Sequence, residues 1–103
     1  MRICFHLQIK PNRLDEYKRL HQEVWPDVLA ELKAAGIRNY SLYLWEAGHE
    51  FGVLECDDWL EVQRILGESP VMGKWEAFMA DYLATPVEPG RGLRVLEEVF
   101  RLE

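Results

Sequence analysis

The chemistry of this chain is narrowed first by what it has little of. Its two cysteines, Cys4 and Cys56, stand in separate strand-like runs, and no CxxC spacing occurs. A redox pair or thiolate metal site therefore has no support, and both read as small buried hydrophobes. The three histidines, His6, His21 and His49, share no ligand spacing and no HExxH accompanies them, so neither a metal nor a cofactor is expected. Glycines are too scattered for a phosphate-cradling loop, and Ser41 and Ser69 lie in no nucleophile elbow. Basic residues are in the minority, 12 against 18 acidic ones, for a net charge of -6. Binding a phosphate backbone needs clustered Lys and Arg, which excludes nucleic acid as the expected partner. No apolar run approaches a bilayer span, so no membrane partner is expected. The N-terminus MRICFHLQIK alternates where a signal peptide would be continuously apolar, and the expected location is cytoplasmic.

What is present suits one compact core. The 103 residues predict a single domain over 1–103. Hydrophobic residues make up 49% and aromatics 12%, with four tryptophans, which argues against disorder and supplies bulky walls for a pocket.

Along the chain, Ile3, Phe5, Leu7 and Ile9 alternate with Cys4, His6 and Gln8, the period of a strand with one apolar face. Pro11-Asn12 breaks it, with Asn12 as a fitting N-cap for a long helix, Leu14 to Ala35, that Gly36 closes. Leu14, Leu20, Val24, Val28 and Leu32 give that helix a buried face, and Trp25-Pro26 predicts a kink or break within it. Ile37 to Glu46 and Phe51 to Cys56, joined by Ala47-Gly48-His49, read as a hairpin. A short helix from Trp59 to Leu66 follows, then a second one carrying Val71, Trp75, Phe78, Met79 and Tyr82. A turn-rich loop from Thr85 to Gly92 leads to a closing strand over Leu96 to Leu102. Strand, helix, strand, strand, helix, strand predicts an α+β, ferredoxin-like βαββαβ fold, an antiparallel sheet with helices on one face. Tyr40, Leu42 and Leu44 take one face of the second strand and Tyr43 and Trp45 the other, so the uncovered face predicts a homodimer.

Tyr17 and His21, four apart, lie on the buried side of the first helix, where a phenol and an imidazole are neighbours suited to moving protons. A core histidine bonded to a carbonyl is the commoner reading of such a position. Tyr40, Trp75 and Trp45 could wall a small-ligand pocket, although packing alone explains them as well. His6 falls on the strand face opposite Phe5, and His49 falls in a turn facing water. Glu16, Glu23, Asp27 and Glu31 read as solvated.

The run Tyr17-Lys18-Arg19-Leu20-His21-Gln22-Glu23-Val24-Trp25-Pro26 has a Y-x-x-x-H-x-x-x-W-P core. Together with Asn39-Tyr40, Trp75 before Met79, and the ending Leu96 to Leu102, it resembles the L-rhamnose mutarotase family over essentially the whole chain. The resemblance implies a dimeric α+β barrel that interconverts the α and β anomers of L-rhamnose, a monosaccharide, without a cofactor. It also implies His21 as proton donor, with Tyr17, Tyr40 and Trp75 contacting the sugar. One position departs from it: Glu76 stands where family members carry a second aromatic. On a helical wheel Glu76 borders the apolar stripe, within reach of a substrate-binding role that would favour a sugar offering another hydroxyl. Two other readings stand beside it, another enzyme on the same fold such as a dimeric α+β barrel monooxygenase, and a non-catalytic dimer that binds a small ligand or another protein. The motif makes both weaker than the mutarotase.

Overall fold

A computed structural model describes residues 1–84 and 93–103. The expected Thr85 to Gly92 loop lies outside them. Among the described residues, the strands are β1 (Arg2–Gln8), β2 (Arg38–Leu44), β3 (His49–Glu55) and β4 (Arg94–Leu96). The helices are α1 (Leu14–Leu20), α2 (Pro26–Ala34), α3 (Trp59–Glu68) and α4 (Pro70–Met79), with 3-10 turns at Pro11–Arg13 and Ala80–Tyr82. The sheet order is β2-β3-β1-β4, every neighbouring pair antiparallel, which is the ferredoxin-like α+β arrangement read from the sequence.

Alternation decides which side chains face the helices. β1 pairs Ile3 with Leu54, Phe5 with Gly52 and Leu7 with Glu50, and β2 continues that row with Leu42 opposite Gly52 and Leu44 opposite Glu50. Cys4, His6, Tyr43, Phe51 and Val53 take the other face. A bulge lies between Arg38 and Ser41, with Asn39 in the left-handed region at φ 49°. Three residues apart, Ile37 and Tyr40 would fall on opposite faces of a regular strand. The extra residue lets both face inward, Ile37 into the core and Tyr40 against Phe5.

The helices cover the inner face in two packed groups. Ile9, Tyr17, Val28, Met72, Trp75, Met79 and Tyr82 form one around α1, α2 and α4. Phe5, Ala35, Ile37, Leu54, Cys56 and Val62 form the other under α3. Polar contacts fix α1 against the second 3-10 turn, because Tyr82 donates to Glu16 Oε1 at 2.7 Å while Arg13 lies 4.1 Å over the Tyr82 ring. Glu16 is thus half-buried and engaged, contrary to the solvated role its spacing suggested.

Other expectations are corrected. The span Leu14 to Ala35 is broken, not merely kinked, since α1 stops at Leu20 and α2 restarts at Pro26. Pro26 has no N–H to continue the ladder, and Trp25 before it is extended, with ψ 131°. Asn12 is no cap: it is exposed in the 3-10 turn and Arg13 precedes α1 without a capping side chain. His49 opens β3 because the turn is completed earlier, at Gly48 (φ 94°). A Cβ on Gly48 would collide with the carbonyl of Ile9, whose N–H bonds to Gly48 O at 2.7 Å. The closing strand is displaced to Arg94–Leu96, and residues 97–103 carry no regular structure.

Candidate functional site

The break in the first helix makes the site. His21 caps the C-terminus of α1, where Tyr17 O accepts from His21 N at 3.2 Å and lies 3.0 Å from the ring Nδ1. A carbonyl only accepts, so Nδ1 carries the hydrogen and Nε2 is left to exchange a proton elsewhere. The carbonyl-bonded histidine anticipated as the commoner reading is therefore present, yet it occupies only one ring nitrogen. The buried Tyr17 ring lies 4.3 Å from that of His21, centroid to centroid. Trp75 meets His21 edge-on at 5.9 Å and Trp25 at 4.9 Å, and Phe78 stacks on Trp25 at 5.4 Å. These aromatics form one wall.

The opposite wall comes from β2. Tyr40 and Leu42 face inward but remain 37% and 38% exposed, so the helices leave that side of the inner face open as a cleft. At its floor, Glu50 is only 2% exposed.

Glu50 determines the electrostatics. Burial pushes its carboxyl above the usual range, opposed by a hydrogen bond from the Tyr17 phenol and by attraction to His21. Tyr17 rises far above an ordinary phenol, first from burial and then from the charge and hydrogen bond of Glu50, with Tyr40 adding to it. The Tyr40 hydroxyl is raised by burial and then by Glu50.

Of the residues singled out from the sequence, Tyr17, His21 and Trp75 are in direct contact, and Tyr40 joins them through Glu50. Glu76 is exposed on α4, although partial burial raises its carboxyl, and among the described residues no hydrogen bond ties it to the cluster. Trp45 is 65% exposed on the loop after β2 and is not part of the wall. His6 and His49 pair at 2.8 Å on the outer face, with stacked rings. Sequence reasoning missed Glu50 and Trp25. The signal for Glu50 was a carboxylate with the same parity as Gly52 and Leu54, hidden by starting the strand at Phe51. Trp25 was read only as a helix breaker.

Comparisons with known proteins converge. Residues 2–102 match the family model described as L-rhamnose mutarotase. An L-rhamnose mutarotase of Burkholderia ambifaria is 37% identical over 98% of this chain and 97% of its own length. One from Oceanobacillus iheyensis is 33% identical over 96% and 95%. Among solved structures, an L-rhamnose mutarotase from Formosa agariphila superposes with a TM-score of 0.83 at 27% identity, covering 100% of this chain and 99% of that one. A type II polyketide cyclase from Streptomyces glaucescens, at 17% identity, has a TM-score of 0.70 over 100% and 97%, a likeness of fold alone.

Proposed function

The chain belongs to the L-rhamnose mutarotase family of sugar-anomer isomerases, and from that premise we propose that it interconverts the α and β anomers of L-rhamnose, or of a related deoxy sugar, in the cleft between β2 and the helices. The observation that carries the reading is the held imidazole: Nδ1 is anchored on Tyr17 O at 3.0 Å, so Nε2 is the nitrogen that gives and takes the proton.

Anomer exchange removes a proton from the anomeric hydroxyl and delivers one to the ring oxygen. The C1–O5 bond then opens, the carbonyl rotates, and both transfers reverse. No net oxidation or group transfer occurs. His21 is the proton donor to the ring oxygen, and Tyr17 and Tyr40 offer hydroxyls to the sugar. Trp75 supplies a flat apolar surface, backed by Trp25. Glu76, exposed on the same helix with its carboxyl raised by partial burial, accepts from a sugar hydroxyl in this reading. A positioned proton-transfer group contributes about 10²–10⁴-fold.

The same reading includes a homodimer. Tyr43 and Trp45 are 62% and 65% exposed on or beside the outer face, and Val99, Phe100 and Leu102 project from the irregular C-terminal segment, an apolar surface that a second copy would cover. Cytoplasmic residence accords with two unpaired cysteines, Cys4 and Cys56.

Saturation transfer between the anomeric NMR signals of L-rhamnose tests the assignment. His21→Asn keeps a hydrogen bond to Tyr17 O but cannot carry the proton, and its kcat is expected to fall by about 100-fold or more with an unchanged circular-dichroism spectrum. A folded variant exchanging at the wild-type rate refutes the role given to His21.

A further inference from the structure

We propose that Glu50 is the second proton carrier of the anomer exchange, acting through the hydroxyl of Tyr17 while His21 acts on the sugar directly; this rests on the mutarotase reading above. Glu50 occupies the middle of the sheet's inner face, and its registered neighbours, Leu7 on β1 and Leu44 on β2, bring no charge. A carboxyl buried to 2% exposure in such surroundings costs stability, because its hydration is lost among apolar strand neighbours. Leu7 and Leu44 pack against the buried group that contains Tyr17, so Glu50 between them faces the same group. The groups that act on its carboxyl are proton-bearing: the Tyr17 phenol from α1, His21 just past α1, and the Tyr40 phenol from β2. A structural role alone would be filled better by a leucine at that position, between Leu7 and Leu44.

Tyr17 explains why a second group is needed. Its phenol is held far above the ordinary value, so it cannot accept a proton and keep its own. With the carboxylate of Glu50 behind it, acceptance and release are simultaneous. In ring opening the anomeric O1–H proton passes to Tyr17 Oη as the Tyr17 proton passes to Glu50. The O1 electron pair forms the carbonyl as the C1–O5 bond breaks, and O5 takes the proton from protonated His21 Nε2. The enzyme then holds neutral Glu50 and neutral His21 beside an open-chain aldehyde. After rotation about C1–C2, each transfer reverses onto the other face of the carbonyl, and no proton is gained or lost overall.

The test measures anomer exchange by NMR for the wild type, Glu50→Gln, Glu50→Asp, Tyr17→Phe and the Glu50→Gln/Tyr17→Phe double variant. Glutamine preserves shape but carries no proton, so kcat should fall about 100-fold with KM changed less than about threefold. Glu50→Asp should recover part of the rate. Because the two residues form one path, the double variant should be no slower than the slower single variant. The wild-type kcat should be bell-shaped in pH, with one limb lost in Glu50→Gln. Glu50→Gln retaining kcat within about twofold, or losses that multiply in the double variant, overturns the proposal. Should Glu50→Gln fail to fold, Glu50→Leu, which fits the apolar surroundings but carries no proton, replaces it, and a folded Glu50→Leu at full wild-type kcat overturns the proposal equally. A wild type and Glu50→Gln that both exchange while His21→Asn does not would remove this inference and leave the mutarotase reading. A wild type that exchanges the anomers of neither L-rhamnose nor a related deoxy sugar would remove both.

Discussion

Gly52 sits in the middle of β3 against the Phe5 ring, and replacing it with alanine tests how the cleft floor is built. On β3 it pairs with Phe5 of β1 and Leu42 of β2, its hydrogen pointing to the inner face. A Cβ built there would lie under 3.0 Å from three carbons of the Phe5 ring. That ring is 2% exposed, surrounded by the packed group of Ile37, Leu54 and Val62, and its edge contact with Tyr40 spans 6.1 Å between centroids. Tyr40, its edge-to-face neighbour, is more exposed than the packed residues around it, so displacement presses on Tyr40. Forcing a methyl into a filled core costs about 1–3 kcal/mol, and in a domain of this size each kcal/mol lowers the thermal midpoint by about 4–8 °C. Gly52→Ala should therefore unfold earlier in a thermal or urea titration. Because Tyr40 is displaced, its KM for the sugar should rise as well. Phe5→Leu removes the ring edge that the methyl strikes, so the Gly52→Ala/Phe5→Leu pair should be more stable than the two single losses added together, by about 1 kcal/mol or more. A Gly52→Ala loss under about 0.5 kcal/mol, or strict additivity in the pair, would show that the floor yields and that the contact does not shape the cleft.

Three further outcomes follow from other parts of the structure. The folded state holds the Glu50 proton above the pH at which the unfolded chain releases it, so this group's contribution to stability is lost as pH rises from the ordinary carboxylate range through its raised folded value. Glu50→Gln should gain on the wild type across that window in urea titrations between pH 4 and 8, and parallel profiles would contradict the burial argument. Glu76→Trp should raise kcat/KM for L-rhamnose relative to L-fucose, since an aromatic covers a sugar methyl where a carboxylate does not; an unchanged ratio places Glu76 outside the site. Trp45→Lys and Tyr43→Glu together should shift sedimentation toward the 12.1 kDa monomer, and an unmoved dimer, or a wild type already monomeric at micromolar concentration, would count against the outer face as the interface.

Local signals carried most of the architecture. The alternation of Ile3, Phe5 and Leu7 and the punctuation at Pro11, Gly36 and Gly48 gave the element order, because period and turn chemistry are written in neighbouring residues. The contact of Tyr17 with His21 was legible for the same reason, being four residues apart on one helix. What was not legible depended on register between distant segments. Glu50 reaches the cleft only because β3 begins at His49, and its neighbours Tyr17 and Tyr40 come from different elements. The short β4 was misplaced because apolar residues from Leu96 to Leu102 suggested a longer strand. Only Cys4, Phe5 and His6 of β1 find partners in it.

The helix break links these levels. Had the first helix run on through Pro26, its carbonyls near Tyr17 would lie in the helix interior and the His21 backbone would be followed by further turns. Because Pro26 supplies no N–H and Trp25 turns extended, α1 ends at Leu20 and the carbonyls of its last turn need other partners. Arg19 O and Leu20 O are satisfied by Gln22 N at 3.1 Å and Glu23 N at 3.2 Å as the chain turns. Tyr17 O takes the His21 amide and, with its second lone pair, the His21 ring. The proline thus bears on a residue five positions away, ending α1 so that His21 stands at its C-cap with its ring on Tyr17 O. The same turn carries Trp25 back against Trp75, so the break that places the His21 ring also builds the aromatic wall beside it.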